Sequence, residues 1–375
     1  MITVAAGAAP LSEDEAKATY RRAWFGFIAM MFGNFMAILD IQIVASSLKE
    51  IQAGLSASAD ELTWVQTSYL IAEVIAIPLS GYLSRMMSTR IYFVVSAVGF
   101  TLASMLCAFA WNIESLIVFR VLQGFLGGGM IPTTLGAIFL LFPPEKRALP
   151  SVLVSLAMTT APALGPSFGG YLTATFSWHW LFFINLLPGT LIGIVVWRNV
   201  RVDLPDWTML RKVDLWGLLG MALFLGSLEF VLDEGPRHDW LQDALVRNIF
   251  WLMIAGAVLF FWRAFTSAHP IVELRTYRNR NFAIGSLTAF AVGVMIFGMV
   301  FILPTFLGSV RGYNSLQIGQ VMMVMGICMF SSAPLAGKLA QKIDLRILLS
   351  YGFLMVGLGT WLNAQLTADA GFWEF

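Results

Sequence analysis

The chain of 375 residues is 58% apolar and only 12% charged, with a net charge of +1 and a mean hydropathy of +0.77. Soluble domains hold roughly 25% charged residues, so this composition excludes a soluble enzyme or a nucleic-acid-binding module and points to a membrane protein. No hydrophilic segment is long enough for a catalytic domain, and no nucleophile motif, phosphate loop or metal-ligand spacing occurs, which also argues against ATP-driven transport.

Apolar stretches long enough to cross a ~30 Å hydrocarbon core as helix recur along the whole chain. They predict eleven spans, at 24–48, 62–83, 91–110, 115–142, 149–175, 180–197, 214–233, 248–265, 282–307, 316–340 and 346–364. The runs are too long and too free of charge for a barrel, whose strands need only about ten alternating residues. The fold class is therefore all-α and integral to the membrane.

Residues 1–23 read as an N-terminal tail. Arg21 and Arg22 before Trp24 suggest an export leader, but the apolar run is longer than a leader's core, lacks a convincing cleavage site and is followed by ten more spans. Span 1 carries Asp40 in otherwise apolar surroundings, and a central carboxylate costs about 2.5–3.5 kcal/mol on insertion scales. A carboxyl that alternates between water and hydrocarbon binds and releases a proton, so Asp40 is a proton-site candidate, with a salt-bridged scaffold residue as the alternative. Glu73, about eleven residues into span 2, reads as a second proton site, an acidic contact for cationic substrates, or a hydrogen-bonding partner of a neighbouring helix.

Arg120 in span 4 lies at a depth similar to that of Asp40, so the two can pair, transiently during turnover or as a fixed ion pair. Span 5 carries Pro162, Gly165, Pro166, Gly169 and Gly170. This run removes backbone hydrogen bonds and leaves small residues on one face, which favours bending or simple close packing. Phe35, Met36 and Met130 are candidates for a greasy, adaptable pocket. Glu229 in span 7 has no assigned position relative to that pocket, and Asp233 and Glu234 read as interfacial. Cys107 and Cys328, alone in separate spans, read as buried small apolar residues. His179, His238 and His269 lie at loops or span edges without a metal constellation.

Placing the N-terminus in the cytoplasm puts 18 of the 23 Lys and Arg residues inside and four outside, with Arg120 within the membrane. That is a strong positive-inside bias. The sites of the basic residues are thereby explained by membrane edges and topology, and no nucleic acid need be invoked. The loop after span 2, with Gly81, Leu83, Arg85 and Arg90, resembles the loop after span 10, with Gly337, Leu339, Lys342 and Arg346. An offset of eight spans implies two six-span halves separated by two additional spans. The expected organisation is a six-helix half at 24–197, two inserted helices with linkers at 198–281, and an incomplete second half at 282–375. Eleven of fourteen spans would then be present, with a C-terminal truncation, and Gly371 to Phe375 read as the start of another span.

Leu39–Asp40, Trp64–Val65, Arg120 with Gln123 and Gly124, Gly165–Pro166 with Gly169–Gly170, and Trp178 through Asn185 occur in order at fixed span positions. Asp233–Gly235, Asp239–Trp240, Pro270–Leu274 and Arg280–Phe282 continue the series. In these features the chain resembles the fourteen-span drug:proton antiporters of the major facilitator superfamily, of the EmrB/QacA type and nearest EmrB, over nearly all of residues 20–375. It departs from that family's loop motif, which usually carries Asp where Arg85 stands and Gly where Ser88 stands, so a gating contact of that Asp is in doubt here.

The resemblance implies proton-coupled efflux of lipophilic compounds by alternating access, in a bacterial inner membrane, driven by the proton gradient without a cofactor. It associates Arg120, Gln123 and Gly124 with proton transfer and makes Gln123 a cavity candidate. It also treats the glycine–proline run of span 5 as a mark of antiport. Implied partners are lipophilic small molecules, protons and membrane lipid, and a periplasmic adaptor with an outer-membrane channel where the source has two membranes. A narrow-specificity exporter of a metabolite or siderophore and an inactive truncated copy are the competing readings.

Overall fold

The computed structural model describes residues 13–313, 315–339 and 342–365. The proposed start of a further span at Gly371 to Phe375 lies outside them, as do Ala340 and Gln341 in the loop after span 10. Among the described residues eleven helices are long and apolar enough to cross a membrane. They are span 1 (Lys17–Ser46), span 2 (Glu61–Met87), span 3 (Thr89–Ala108), span 4 (Ile113–Leu141), span 5 (Ala148–Thr175), span 6 (Trp180–Asn199), span 7 (Leu215–Arg237), span 8 (Ala244–Thr266), span 9 (Arg280–Gly308), span 10 (Gln317–Leu339) and span 11 (Leu345–Asn363). Each predicted span is present with its ends moved by a few residues. The largest shift is at the start, where the first helix begins at Glu13, so residues 13–23 of the N-terminal tail are helical.

Polar side chains in the loops start these helices. Ser58 and Glu61 form a reciprocal capping box at the start of span 2, Asn112 and Ser115 another at span 4, and Asp243 accepts from the Leu245 and Val246 amides at span 8. Span 4 is interrupted at Gly127 to Gly129, the break separating the helices Ile113–Gly127 and Met130–Leu141.

Spans 1–6 form a bundle in which span 1 packs on spans 4, 5 and 6, span 2 on spans 3 and 4, and span 3 on spans 4 and 6. Its interior holds two apolar clusters. One gathers Phe27, Met30, Phe93, Phe100, Ile138, Phe142 and Val196 toward the end carrying the N-terminus. The other gathers Ile43, Val65, Ile113, Leu116, Leu172 and Phe182 toward the opposite end.

Span 7 lies along span 2 and span 8 along span 7, while span 10 lies along span 5. Ser167 of span 5 donates to the Gly319 carbonyl of span 10 at 3.1 Å. Spans 9 and 11 bury little, and the most apolar stretch of span 11 has no buried residue. Phe301 and Leu354 on them are more than half exposed, as expected of helices that face hydrocarbon rather than water. Cys328 of span 10 shares that exposure and is not the buried residue its apolar context suggested; the periodicity of an all-apolar helix does not say which face meets protein.

Asp214 ties the inserted pair together. Arg263 Nη2 lies 2.9 Å from its Oδ1, and the same carboxylate caps the Gly217 amide at 3.0 Å. Burial pushes the Asp214 carboxyl up, but the hydrogen bonds from Arg263 and the Gly217 amide outweigh burial and hold it below the ordinary aspartate range. A depressed carboxyl stabilises the fold above its unfolded-state pKa, and that stability is lost as pH falls through the folded value. Asp214→Asn, which keeps a capping oxygen but loses the charge facing Arg263, should therefore destabilise the protein at neutral pH by about 2 kcal/mol for the charged hydrogen bond, read as a lower thermal midpoint. The gap from wild type should close in acid, and midpoints measured across pH in detergent would reveal a constant gap if this is wrong.

The turn between spans 2 and 3 is held from below by Asp203, which accepts from the Thr89 amide at 2.8 Å and from its hydroxyl at 2.8 Å. Ser88 within that turn has φ 78° and ψ 149°, a region almost reserved for glycine. This is the position at which the resembling family usually carries Gly. Ser88 caps Ile91 weakly at 3.4 Å, so Ser88→Gly removes more strain than bonding and should stabilise the protein by about 1 kcal/mol. A lowered melting midpoint in that variant would contradict the strain assignment.

Candidate functional site

Five spans bring polar groups to one fully buried point between the two apolar clusters. Asp40 of span 1 and Arg120 of span 4 form an ion pair, Nη1 to Oδ2 at 2.8 Å, with both side chains 0% exposed. Gln123, one turn along span 4 from Arg120, accepts from Arg120 Nη1 at 2.8 Å and donates to Asp40 Oδ1 at 3.1 Å. The i, i+3 spacing places both side chains on one helix face. Asn185 at the start of span 6 donates to the same Oδ1 at 2.6 Å and to Ser104 of span 3 at 3.0 Å, and Ser104 donates to the Phe182 carbonyl at 2.9 Å.

Arg120 is gripped on further sides. Its Nε donates to the Val65 carbonyl of span 2 at 3.2 Å, and its guanidinium lies over the Tyr69 ring, 4.0 Å from the centroid. A desolvated cation over an aromatic face gains about 2 kcal/mol. Arg120 Nη2 and the Tyr69 hydroxyl have no hydrogen-bond partner among the described residues. Cys107 contacts Gln123 Oε1 at 3.5 Å as a weak donor.

Glycine sets the distance between spans 2 and 4. A Cβ at Gly124 would lie 2.3 Å from the Tyr69 carbonyl oxygen, and one at Gly128 would lie 2.8 Å from that of Glu73. Backbone this close requires glycine, and it is what allows Arg120 to reach Val65 and Tyr69. Gly124 therefore acts on packing, beside a residue whose charge it helps to position.

The sequence candidates are distributed over several places. Asp40, Arg120 and Gln123 meet in one network, in which Gln123 is a fully buried hydrogen-bonding member. Met36 and Met130 are packed in the apolar cluster of the bundle, at 5% and 0% exposure, while Phe35 is half-buried. Glu73 is 7% exposed, without an ion-pair partner among the described residues, and lies within electrostatic reach of Glu229 across the span 2–span 7 contact. Glu234, at the end of the helix Leu215–Glu234, is buried: Thr63 donates to it at 3.0 Å and the exposed Arg237 and His238 lie 3.8 and 3.4 Å from its carboxylate, while Asp233 is hydrogen-bonded to Thr67.

Gly165 and Gly169 of span 5 form a seam with span 1, where added Cβ atoms would lie 2.2 Å from Gln42 Cβ and 2.4 Å from Ser46 Oγ. Pro166 is buried and Gly170 half-buried, and the helix runs unbroken from Ala148 to Thr175. Gly81 is exposed, Arg85 returns to the Gly81 carbonyl at 3.0 Å, and Arg90 lies over the Trp197 ring at 4.7 Å. This loop is about 18 Å along span 2 from Tyr69 at 1.5 Å per residue. Asn185, Ser104 and Tyr69 were not singled out from sequence as members of the site; a polar residue in an apolar span is the signal they carried.

The chain matches the Major Facilitator Superfamily over residues 30–373. It is 50% identical to the colistin resistance protein EmrB of Acinetobacter baumannii over 360 residues, 96% of this chain and 70% of that protein. It is 32% identical to the fatty acid resistance protein FarB of Neisseria gonorrhoeae, covering 89% of this chain and 66% of the relative. It is also 32% identical to the multidrug export protein EmrB of Escherichia coli K12, covering 88% of this chain and 64% of the relative. The chain thus spans about two thirds of the length of these relatives. In fold it is similar to a D-xylose–proton symporter, with a TM-score of 0.54 at 14% identity over 94% of this chain and 77% of that one. Eleven spans, this fold and these matches identify the chain as a multi-span membrane protein of the Major Facilitator Superfamily.

Proposed function

We propose that this chain exports lipophilic compounds in exchange for protons, in a bacterial inner membrane with its N-terminus in the cytoplasm. The observation that carries this reading is the fully buried Asp40, held by Arg120, Gln123 and Asn185 on spans 1, 4 and 6. A carboxylate so placed couples its charge to helix position. Protonation removes the attraction to Arg120, leaves the guanidinium to Gln123 and the Val65 carbonyl, and loosens span 1 from span 4; deprotonation restores the pair. Energy comes from the proton gradient rather than a bound cofactor. Glu73 is a second proton or cation contact, placed where span 7 meets span 2.

In this reading residues 24–197 are one half of the transporter, 198–281 the inserted pair, and the chain from 282 onward part of the second half. The span 5–span 10 contact is then the seam on which the halves rock, with Gly165, Pro166, Gly169 and Gly170 allowing that motion. A periplasmic adaptor and outer-membrane channel would complete the route. The loop motif of Gly81, Arg85 and Arg90 marks the cytoplasmic side.

The test is drug-driven proton release from everted vesicles holding the full protein. Asp40→Asn, which keeps the shape and one acceptor oxygen but not the charge, should abolish coupled export while the protein remains in the membrane. Undiminished coupled transport in that variant would sink the assignment. Two relatives named for a single class of compound, colistin and fatty acid, favour a narrow substrate as the second reading, which resistance to one compound rather than many would support.

A further inference from the structure

The end of the bundle that carries the N-terminus holds a cavity of about 550 Å³ bounded by spans 1, 4 and 6. Arg22, Arg198 and Arg201 line it together with Thr19 and Asn199, and Ala23, Leu140, Leu141 and Val202 supply its apolar wall. Among the described residues no acid lines it, and no carboxylate forms an ion pair with any of the three arginines.

Topology requires cations at this face, and a helix C-terminus attracts Arg198. Neither requires three arginines, one from span 1 and two from the end of span 6 and the loop after it, to line one cavity. Like charges gathered without a counter-charge repel one another, and a bound anion relieves that repulsion. Guanidinium favours phosphate because its planar donors match two phosphate oxygens at once. We propose that this cavity binds a phosphate-bearing anion, with an anionic phospholipid headgroup as its source. The apolar wall favours the lipid over free phosphate, since it offers a path for acyl chains beside the headgroup and serves no purpose for an inorganic ion. The cavity also lies at the end of the bundle that the proposed orientation puts in the cytoplasm, where basic pockets between spans meet headgroups.

The inference stands apart from the proton site, because none of its residues touches Asp40 or Arg120. It is tested on the full protein in detergent after exchange of native lipid for phosphatidylcholine. The thermal midpoint is followed on titration with short-chain phosphatidylglycerol, short-chain phosphatidylcholine or inorganic phosphate. Phosphatidylglycerol should raise the midpoint at lower concentration than phosphatidylcholine. R198Q/R201Q should weaken that response about thirtyfold, at about fivefold per cation near an anionic surface. R211Q/K212Q, outside the cavity, should leave it unchanged.

Leu140→Trp keeps every arginine and fills the apolar wall, so it keeps the test open if the arginine variant does not fold. Loss of the phosphatidylglycerol response alone in Leu140→Trp assigns the anion to lipid. A response to inorganic phosphate that survives Leu140→Trp but is lost in R198Q/R201Q supports the anion site with free phosphate as its source. Equal responses to the two lipids with none to phosphate, a wild-type response in R198Q/R201Q, or an equal loss in R211Q/K212Q would overturn it.

Discussion

Asp40→Ala is expected to destabilise the protein by about 3–5 kcal/mol, because it leaves the Arg120 charge buried without its partner. Arg120→Ala should cost a similar amount, for it strands Asp40 and the Val65 carbonyl together. The double variant D40A/R120A should be less destabilised than the sum of its parts, with a coupling of at least about 2 kcal/mol. Thermal or denaturant melts of the four proteins in one detergent measure this directly. Additive losses would mean that the pair is held passively by Gln123 and Asn185 and carries little energy of its own. Asp40→Asn separates coupling from folding, since it keeps an acceptor for Arg120 and should cost far less stability while removing the titratable proton.

Gly165→Leu should produce the second large effect. Even the first carbon of any side chain there would lie 2.2 Å from Gln42 Cβ and 3.1 Å from the Gln42 carbonyl carbon. Part of that obstacle is backbone, so span 1 and span 5 must separate. The expected result is about 1–3 kcal/mol of destabilisation from overpacking, and loss of export beyond what stability accounts for, because span 5 also carries the contact to span 10. Gly136→Ala in span 4 is the control, since a Cβ there meets nothing within 4 Å; it should stay within about 0.5 kcal/mol of wild type. Normal transport by Gly165→Leu would show that the span 1–span 5 seam tolerates widening.

Hydrophobic length alone determined the existence, number and approximate ends of the eleven spans, because a backbone in hydrocarbon must satisfy its hydrogen bonds within the helix. Isolated polar residues in those spans were equally legible. Asp40 and Arg120 stand out by cost, and their similar depth suggested the pair that the tertiary structure contains. The glycine–proline run of span 5 was visible too, although only the structure shows that Gly165 and Gly169 face Gln42 and Ser46.

What only the tertiary structure decided is which faces meet. In a helix that is apolar all round, no periodicity distinguishes lipid from protein, so the burial of Met130 in the bundle and the exposure of Cys328 could not be read from their neighbours in sequence. Asn185 and Ser104 joined the site through contacts 81 residues apart along the chain. Glu234 is buried because span 7 docks on the threonines of span 2, a contact that its neighbours in sequence do not reveal. A span's existence follows from transfer free energy, which is a property of its own residues, whereas the partner of each polar group depends on helix rotation and approach, set by glycine contacts between segments far apart in the chain.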